Sequence, residues 1–439
     1  MNLRRWLTPG IGVKRWLLVV FAGELGLALA GAFVIRQIYP DVEPVGPLET
    51  VLWLATLQFL PGPLRAVIFA GIGVGLFAVG SVRLVRALTS PLRDGERSAR
   101  QPLVEVIYQK RFLARGPRIV AIGGGTGLST LLRGLKESTS NLTAIVTVAD
   151  DGGSSGMLRE QLGVPAVGDI RNCIVALADA EPLMGRLLQY RFPGDPSNSL
   201  GGHAVGNLLL AAMTAVEDGD FEEAVRQVSR VLAVRGQVLP VSSTPLTLHA
   251  ELMDGTRIDG QSAIARAVGI ERVWLTPEGV PPSEEALRAI ADAELIVLGP
   301  GSLFTSILPA LLLPEIRDAV AASPALRVYV CNVATQRGET SGFDLAAHVE
   351  ALDRHVLPNL VDIVLANNRF GVPVPSDYSA EAVRLSWPPR VVSVPRLVLD
   401  DLVDATNPHH HDPARLAAAV LKLNETEGAR RRSAVARTA

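Results

Sequence analysis

The residues best suited to chemistry in this sequence sit in short glycine-rich strings. Gly123-Gly124-Gly125-Thr126-Gly127 would let backbone amides approach a phosphate. It reads G-x-G-x-G rather than the G-x-G-x-x-G of a dinucleotide fingerprint, and no lysine follows in the position a P-loop needs. Asp150 and Asp151 precede Gly152-Gly153-Ser154-Ser155-Gly156. Adjacent carboxylates there could hold a ribose, hold Mg2+ against a diphosphate, or cap a helix. Gly168-Asp169-Ile170-Arg171-Asn172 sets an acid, a fork-shaped cation and an amide together. Arg171 suits a phosphate or carboxylate, or an internal ion pair. Gly201-Gly202-His203-Ala204-Val205-Gly206-Asn207 spaces His203 and Asn207 four apart, on one face if a helix begins early. Gly299-Pro300-Gly301-Ser302 is a second anion nest, with Thr305 and Ser306 in the turn that follows. Two nests suit a ligand with a diphosphate.

Other strings carry weaker signals. Asn332 and Gln336-Arg337-Gly338-Glu339-Thr340 follow a further strand end. His409-His410-His411-Asp412 looks like a metal tract, yet no Cys or Glu lies beside it and Pro413 follows. A helix cap explains it better. Cys173 and Cys331 read as packing residues. Two cysteines exclude a disulfide scaffold or a Cys-rich zinc protein.

These strings need rigid elements to aim them. From Pro117 onward, short β-rich runs alternate with helical stretches. Strands are expected at Arg118–Ile122, Ala144–Ala149, Leu295–Leu298, Arg327–Cys331 and Asp362–Leu365. Helices are expected at Leu128–Leu135, Leu208–Val216 and Pro413–Leu423. Repeated strand–loop–helix units predict an α/β fold, a parallel sheet with helices on both faces. Ligands of such sheets bind at the carboxyl ends of the strands, where the glycine strings fall.

The apolar excess lies elsewhere. Hydrophobic residues make up 48% of the chain and charged ones 20%, which excludes disorder. The formal net charge of −2 argues against a nucleic-acid partner. Trp16–Ile35 carries only Glu24, and Ala66–Val82 carries no charge. Each approaches the ~20 residues a membrane-spanning helix needs. We expect a cytoplasmic N-terminus (1–14), a two-helix transmembrane hairpin (15–82) and a basic juxtamembrane linker (83–116). A soluble domain (117–424) and a basic disordered tail (425–439) follow. Val51–Leu60 would lie in the interface, and Leu103–Leu113 would be partly helical. Arginines and lysines flank the outer ends of the hairpin, which puts the N-terminus and the main domain in the cytoplasm. Glu24 would face the second helix or another subunit.

The soluble segment resembles a known family. IVAIGGGTGLSTLLRGLK, TVADDGGSSG, GDIRNC, GHAVGNLLLAA, GQVLPV, LGPGSLFTSILP and YVCNVATQRGET occur in this order. Together they closely resemble the YvcK family, the gluconeogenesis factors of bacteria, within the CofD-like superfamily. The resemblance covers about residues 117–424. It implies a Rossmann-like fold that binds a UDP-sugar such as UDP-N-acetylglucosamine. It implies a role in cell shape and envelope synthesis under gluconeogenic growth, with no established catalysis. Self-association and an envelope-synthesis partner fit that role. The related CofD transferases imply an alternative, transfer of a phospholactyl-type group from a nucleoside diphosphate donor with Mg2+. By motif position, the resemblance implies nucleotide contacts at Gly124, Gly125, Thr126, Asp150, Asp151, Ser154, Asp169, Asn172, His203, Asn207, Gly301, Ser302 and Phe304. Phe304 replaces a usual Tyr, Met157 a usual Arg and Ala204 a usual Ser. The first keeps a ring face for stacking but loses a hydroxyl.

Overall fold

Buried apolar runs decide the centre of this molecule. The computed structural model describes residues 13–36, 57, 59–89, 113–179, 182–194, 200–370 and 380–428. The chain divides into two units, Met1–Ala114 and Arg115–Ala439.

In the first unit two helices, Val13–Arg36 and Gly62–Thr89, pack against each other. Glycine makes the approach close. A Cβ on Gly23 would sit 2.5 Å from the Phe77 nitrogen, and one on Gly73 would sit 2.8 Å from that of Leu27. Leu17, Leu18, Phe21, Val67 and Val74 point outward. The segment Gly62–Val85 is long and apolar enough to cross a membrane, whereas the apolar stretch of the first helix, Trp16–Ala30, is shorter. The expected pair of spans is thus met in full by one helix. Glu24 is exposed, while its neighbour Gly23 takes the contact with the second helix. The expected linker begins later than residue 83, because Arg83–Thr89 continue the second helix. Most of Val51–Leu60 and of Leu103–Leu113 lies outside the described residues.

The second unit is built on a seven-stranded parallel sheet. Its strands are β1 (Ile119–Gly123), β2 (Leu142–Val146), β3 (Gln237–Pro240), β7 (Leu295–Leu298), β8 (Leu326–Val330), β9 (Ile363–Asn367) and β10 (Arg396–Asp400). Their order is β10-β9-β8-β7-β1-β2-β3. Every residue of β1 and β7 is buried, as expected where helices cover the sheet. Ile119 pairs with Leu142 on one side and Leu295 on the other. A second sheet is antiparallel, with β4 (Thr247–Leu252) between β5 (Arg257–Asp259) and β6 (Ile270–Thr276). The sequence pattern did not reveal this sheet, β3 or β10.

The helix Gly125–Leu135 packs on Gly168–Leu177 and Pro413–Leu423. Gly134 permits the last contact, since a Cβ there would collide with the Pro413 carbonyl oxygen. Asp412 caps Pro413–Leu423, accepting from the amides of Ala414 and Arg415 at 2.9 Å each. This matches the cap expected of the histidine tract. Asn424–Gly428 extend that helix by a turn, and Arg396 pairs with Glu427. Only residues 429–439 of the expected tail remain, outside the described residues.

Candidate functional site

The chain runs β1, β2, β3 in one direction from the centre, then crosses to β7 and continues outward the other way. Loops at such a switch point diverge and leave a crevice. A cavity of about 630 Å3 opens there, between the loop after β1 and the loop after β7. Its volume lies within the ~300–1,000 Å3 of small-molecule sites.

Backbone conformation explains the glycines on both walls. Gly125 and Gly299 have φ of 64° and 80°, in the left-handed region. Contact explains two others. A Cβ on Gly127 would sit 2.6 Å from the Pro300 oxygen, so the walls touch at their base. A Cβ on Gly124 would collide with the Asp169 carboxylate. Asn332 holds the second wall, accepting from the Gly301 amide at 3.2 Å and donating to its carbonyl at 2.9 Å. Gln336 donates to Ser302 Oγ at 2.6 Å. Gln261, brought in by the antiparallel sheet, donates to the Thr305 carbonyl at 2.9 Å.

Two carboxylates line the cavity, and they are Asp150 and Asp169. Asp150 accepts from the Gly152 amide at 2.9 Å. Burial pushes its carboxyl above the usual range. Burial, and next the neighbouring Asp150, push Asp169 up to about 7. Arg171 lies near both acids and opposes these shifts in part. Among the described residues no three His, Cys, Asp or Glu side chains form a metal cluster by themselves. A pair of carboxylates does fit Mg2+ that takes its other ligands from phosphate and water.

The expected pairing of Asp150 with Asp151 needs correction. Asp151 turns away from the cavity, accepts from the Ser262 amide at 2.8 Å and lies over Gly260. Asp169 joins Asp150 on the cavity wall, while Asp151 still acts on Asp150 as a neighbouring like charge.

The other expected contacts divide sharply. Gly124, Gly125, Thr126, Asp150, Asp169, Gly301 and Ser302 all line the cavity. Ser154, Asn172, His203 and Asn207 do not. They form a separate buried network with Arg171. Ser154 Oγ meets His203 Nδ1 at 3.1 Å and accepts from Asn207 Nδ2 at 3.0 Å. Arg171 donates to Asn207 Oδ1 at 3.0 Å and to Asn172 Oδ1 at 2.9 Å. Phe304 is also absent from the wall. It is 1% exposed and lies edge-on to Phe343 and His355, in the core. Its ring has no open face for a base to stack on.

Some wall residues carried no site signal in the sequence. His409, His410 and His411 line the cavity, although the tract read only as a cap. His411 is buried against the Cys331 carbonyl at 3.2 Å. Burial pushes its pKa down to about 4. Gln261 and Ser262 arrive from the unforeseen antiparallel sheet. Both cysteines are buried as expected, and burial pushes the Cys331 thiol up to about 12.

With this geometry in hand, comparison with known proteins decides the family. The family model for 2-phospho-L-lactate transferase CofD matches residues 119–385. A gluconeogenesis factor of Bacillus subtilis is 51% identical over 257 residues, 58% of this chain and 80% of the relative. The chain belongs to the gluconeogenesis-factor (YvcK) family of CofD-like proteins. A family member from Deinococcus radiodurans is 42% identical over 431 residues, 96% of this chain and 89% of that protein. A match that long includes the helix Gly62–Thr89. A Bacillus halodurans protein of known crystal structure is 43% identical, with a TM-score of 0.65. It aligns with 70% of this chain over 100% of its own. The core unit is therefore a complete folding unit in that relative.

Proposed function

We propose that this protein binds a sugar nucleotide, such as UDP-N-acetylglucosamine, and reports on its supply to envelope synthesis during gluconeogenic growth. One observation carries the reading: two glycine nests face each other across the Asp150–Asp169 pair. Gly124 offers Gly125–Leu135 no side-chain cap, and the Asp169 carboxylate meets the Gly125 amide. The other amides of that first turn are the donors a diphosphate would use. Asp150 and Asp169 would hold Mg2+, which when bound neutralises diphosphate charge. Thr126 and Ser302 supply hydroxyls on opposite walls. The uridine and the sugar come from the family resemblance.

The same reading places the protein in the cell membrane, multi-pass, with its N-terminus and main domain in the cytoplasm. It is supported by the outward apolar faces of both N-terminal helices, their close glycine packing, and the shared N-terminal region of the Deinococcus relative. Self-association and an envelope-synthesis partner belong to this proposal.

A CofD-type transferase is the second reading, favoured by the family model and by the carboxylate pair. Calorimetry separates the two. UDP-N-acetylglucosamine is titrated into residues 115–439 with and without Mg2+, and the cell contents are then analysed. Saturable binding with the ligand intact supports the sensor. Donor breakdown supports the transferase, and no binding removes the sugar-nucleotide reading. Full-length protein found in the soluble fraction after cell lysis would refute the tether.

A further inference from the structure

An acidic side chain, Glu339, lies against Ser302 and Thr305 of the cavity wall. Glu339 is 2% exposed, and neither carboxyl oxygen has a hydrogen bond of ordinary geometry. A buried carboxyl in that state is costly when charged. Its near neighbours are the hydroxyls of Ser302 and Thr305, both cavity-wall residues, and the backbone amide of Thr305. Behind it lie Tyr329, on β8, and then the thiol of Cys331, both buried and held in the neutral form. Among the described residues no arginine, lysine or histidine forms an ion pair with Glu339. Burial pushes its carboxyl up to about 7.

The hydrogen-bond arithmetic at Ser302 gives this acid a task. Ser302 Oγ already accepts from Gln336. If Glu339 is a neutral acid, its one O–H can donate to Ser302 or Thr305, and that hydroxyl's own hydrogen stays free for the cavity. If Glu339 is a carboxylate, it accepts that hydrogen and adds a negative charge behind the wall. We propose that Glu339 is a positioning residue whose neutral form turns a wall hydroxyl, that of Ser302 or Thr305, toward an anionic ligand and whose ionised form withdraws it. Binding a diphosphate then takes up a proton, and affinity falls as the pH rises.

This inference rests on the sugar-nucleotide reading. The test uses UDP-N-acetylglucosamine, which has no phosphomonoester to titrate near pH ~6. Residues 115–439 and the variant Glu339→Gln are titrated between pH about 6 and about 8.5, with Mg2+. Asp169 also titrates in this window, so the comparison between the two proteins is the readout. The wild-type affinity should fall by up to about tenfold per pH unit above pH ~7. Glu339→Gln should bind at high pH as the wild type does at low pH, with a clearly shallower profile. Calorimetry in buffers of different ionisation enthalpy should find proton uptake in the wild type and less in the variant. Equal pH profiles in both proteins, or a variant that binds at no pH while remaining folded, would overturn the inference alone. Absence of binding by either protein defeats it together with the sugar-nucleotide reading.

Discussion

His411 should make the core unit sensitive to acid by a calculable amount. Its ring is 6% exposed, with Nε2 against the Cys331 carbonyl. A carbonyl only accepts, so this contact fixes Nε2 as the protonated nitrogen of a neutral ring. In the unfolded chain a histidine titrates near 6.5, whereas burial moves His411 to about 4. The unfolded state therefore binds a proton that the folded state refuses. The contribution of neutral His411 is full above pH ~6.5 and is lost as the pH falls toward ~4. The whole gap corresponds to about 3 kcal/mol, and about 2 kcal/mol of it is lost by pH ~5. His411→Gln keeps an amide donor for Cys331 and cannot titrate. The assay is urea unfolding of residues 115–439 and of this variant, at pH about 7.5 and about 5. Other acids and histidines contribute alike to both proteins and cancel. The stability deficit of the variant should shrink by about 2 kcal/mol at the lower pH. A deficit that does not change with pH would refute the reasoning, because the ring would then be charged or hydrated in the folded state.

Three further outcomes follow from contacts on the walls and behind them. Gly127→Ala should lower stability by about 1–3 kcal/mol, seen as a drop in melting temperature, because its Cβ meets the Pro300 carbonyl at 2.6 Å. Asp169→Asn should abolish any gain in nucleotide affinity on adding Mg2+ while leaving Mg2+-free binding unchanged or tighter, as calorimetry would read. Arg171→Met removes donors from the buried Asn207 oxygen and the half-buried Asn172 oxygen. It should cost about 1–3 kcal/mol for the Asn207 oxygen left unpaired, read by urea unfolding.

The sequence exposed the parts of this site that depend on neighbours along the chain. A strand followed by glycines and a helix is a local signal, and Gly124, Gly125, Gly301 and Ser302 do line the cavity. Long-range placement was not legible. Asp150 and Asp151 are adjacent in sequence, yet the cavity takes Asp150 with Asp169. Ser154 joins His203 and Asn207 from positions 49 and 53 residues away, inside a network rather than on a wall. Phe304 lies in a turn whose helical rotation points its ring into the core, which an aromatic letter alone does not reveal. The antiparallel sheet was not legible because its strands are half-exposed and mix polar with apolar residues, so no run of apolar residues marks them.

Helix capping supplies an independent argument for where the ligand belongs. Three helices away from the cavity carry side-chain caps, whereas Val205–Val216 and Pro314–Ala322 do not. Asp220 accepts from Glu223, Ser283 from Ala286, and Asp344 from Ala347, each from the backbone amide. Gly125–Leu135, which opens on the cavity, begins at Gly124, a residue with no side chain to offer. A capping Ser or Asp at this position would collide with Asp169 and would also occupy the amides. The central helix begins where the strand order reverses, with the Asp169 carboxylate against its first amide, that of Gly125. Arg171 lies near both acids, so part of this charge is balanced within the fold. A diphosphate with a divalent cation supplies acceptors for the other amides and further positive charge for Asp150 and Asp169 in one ligand.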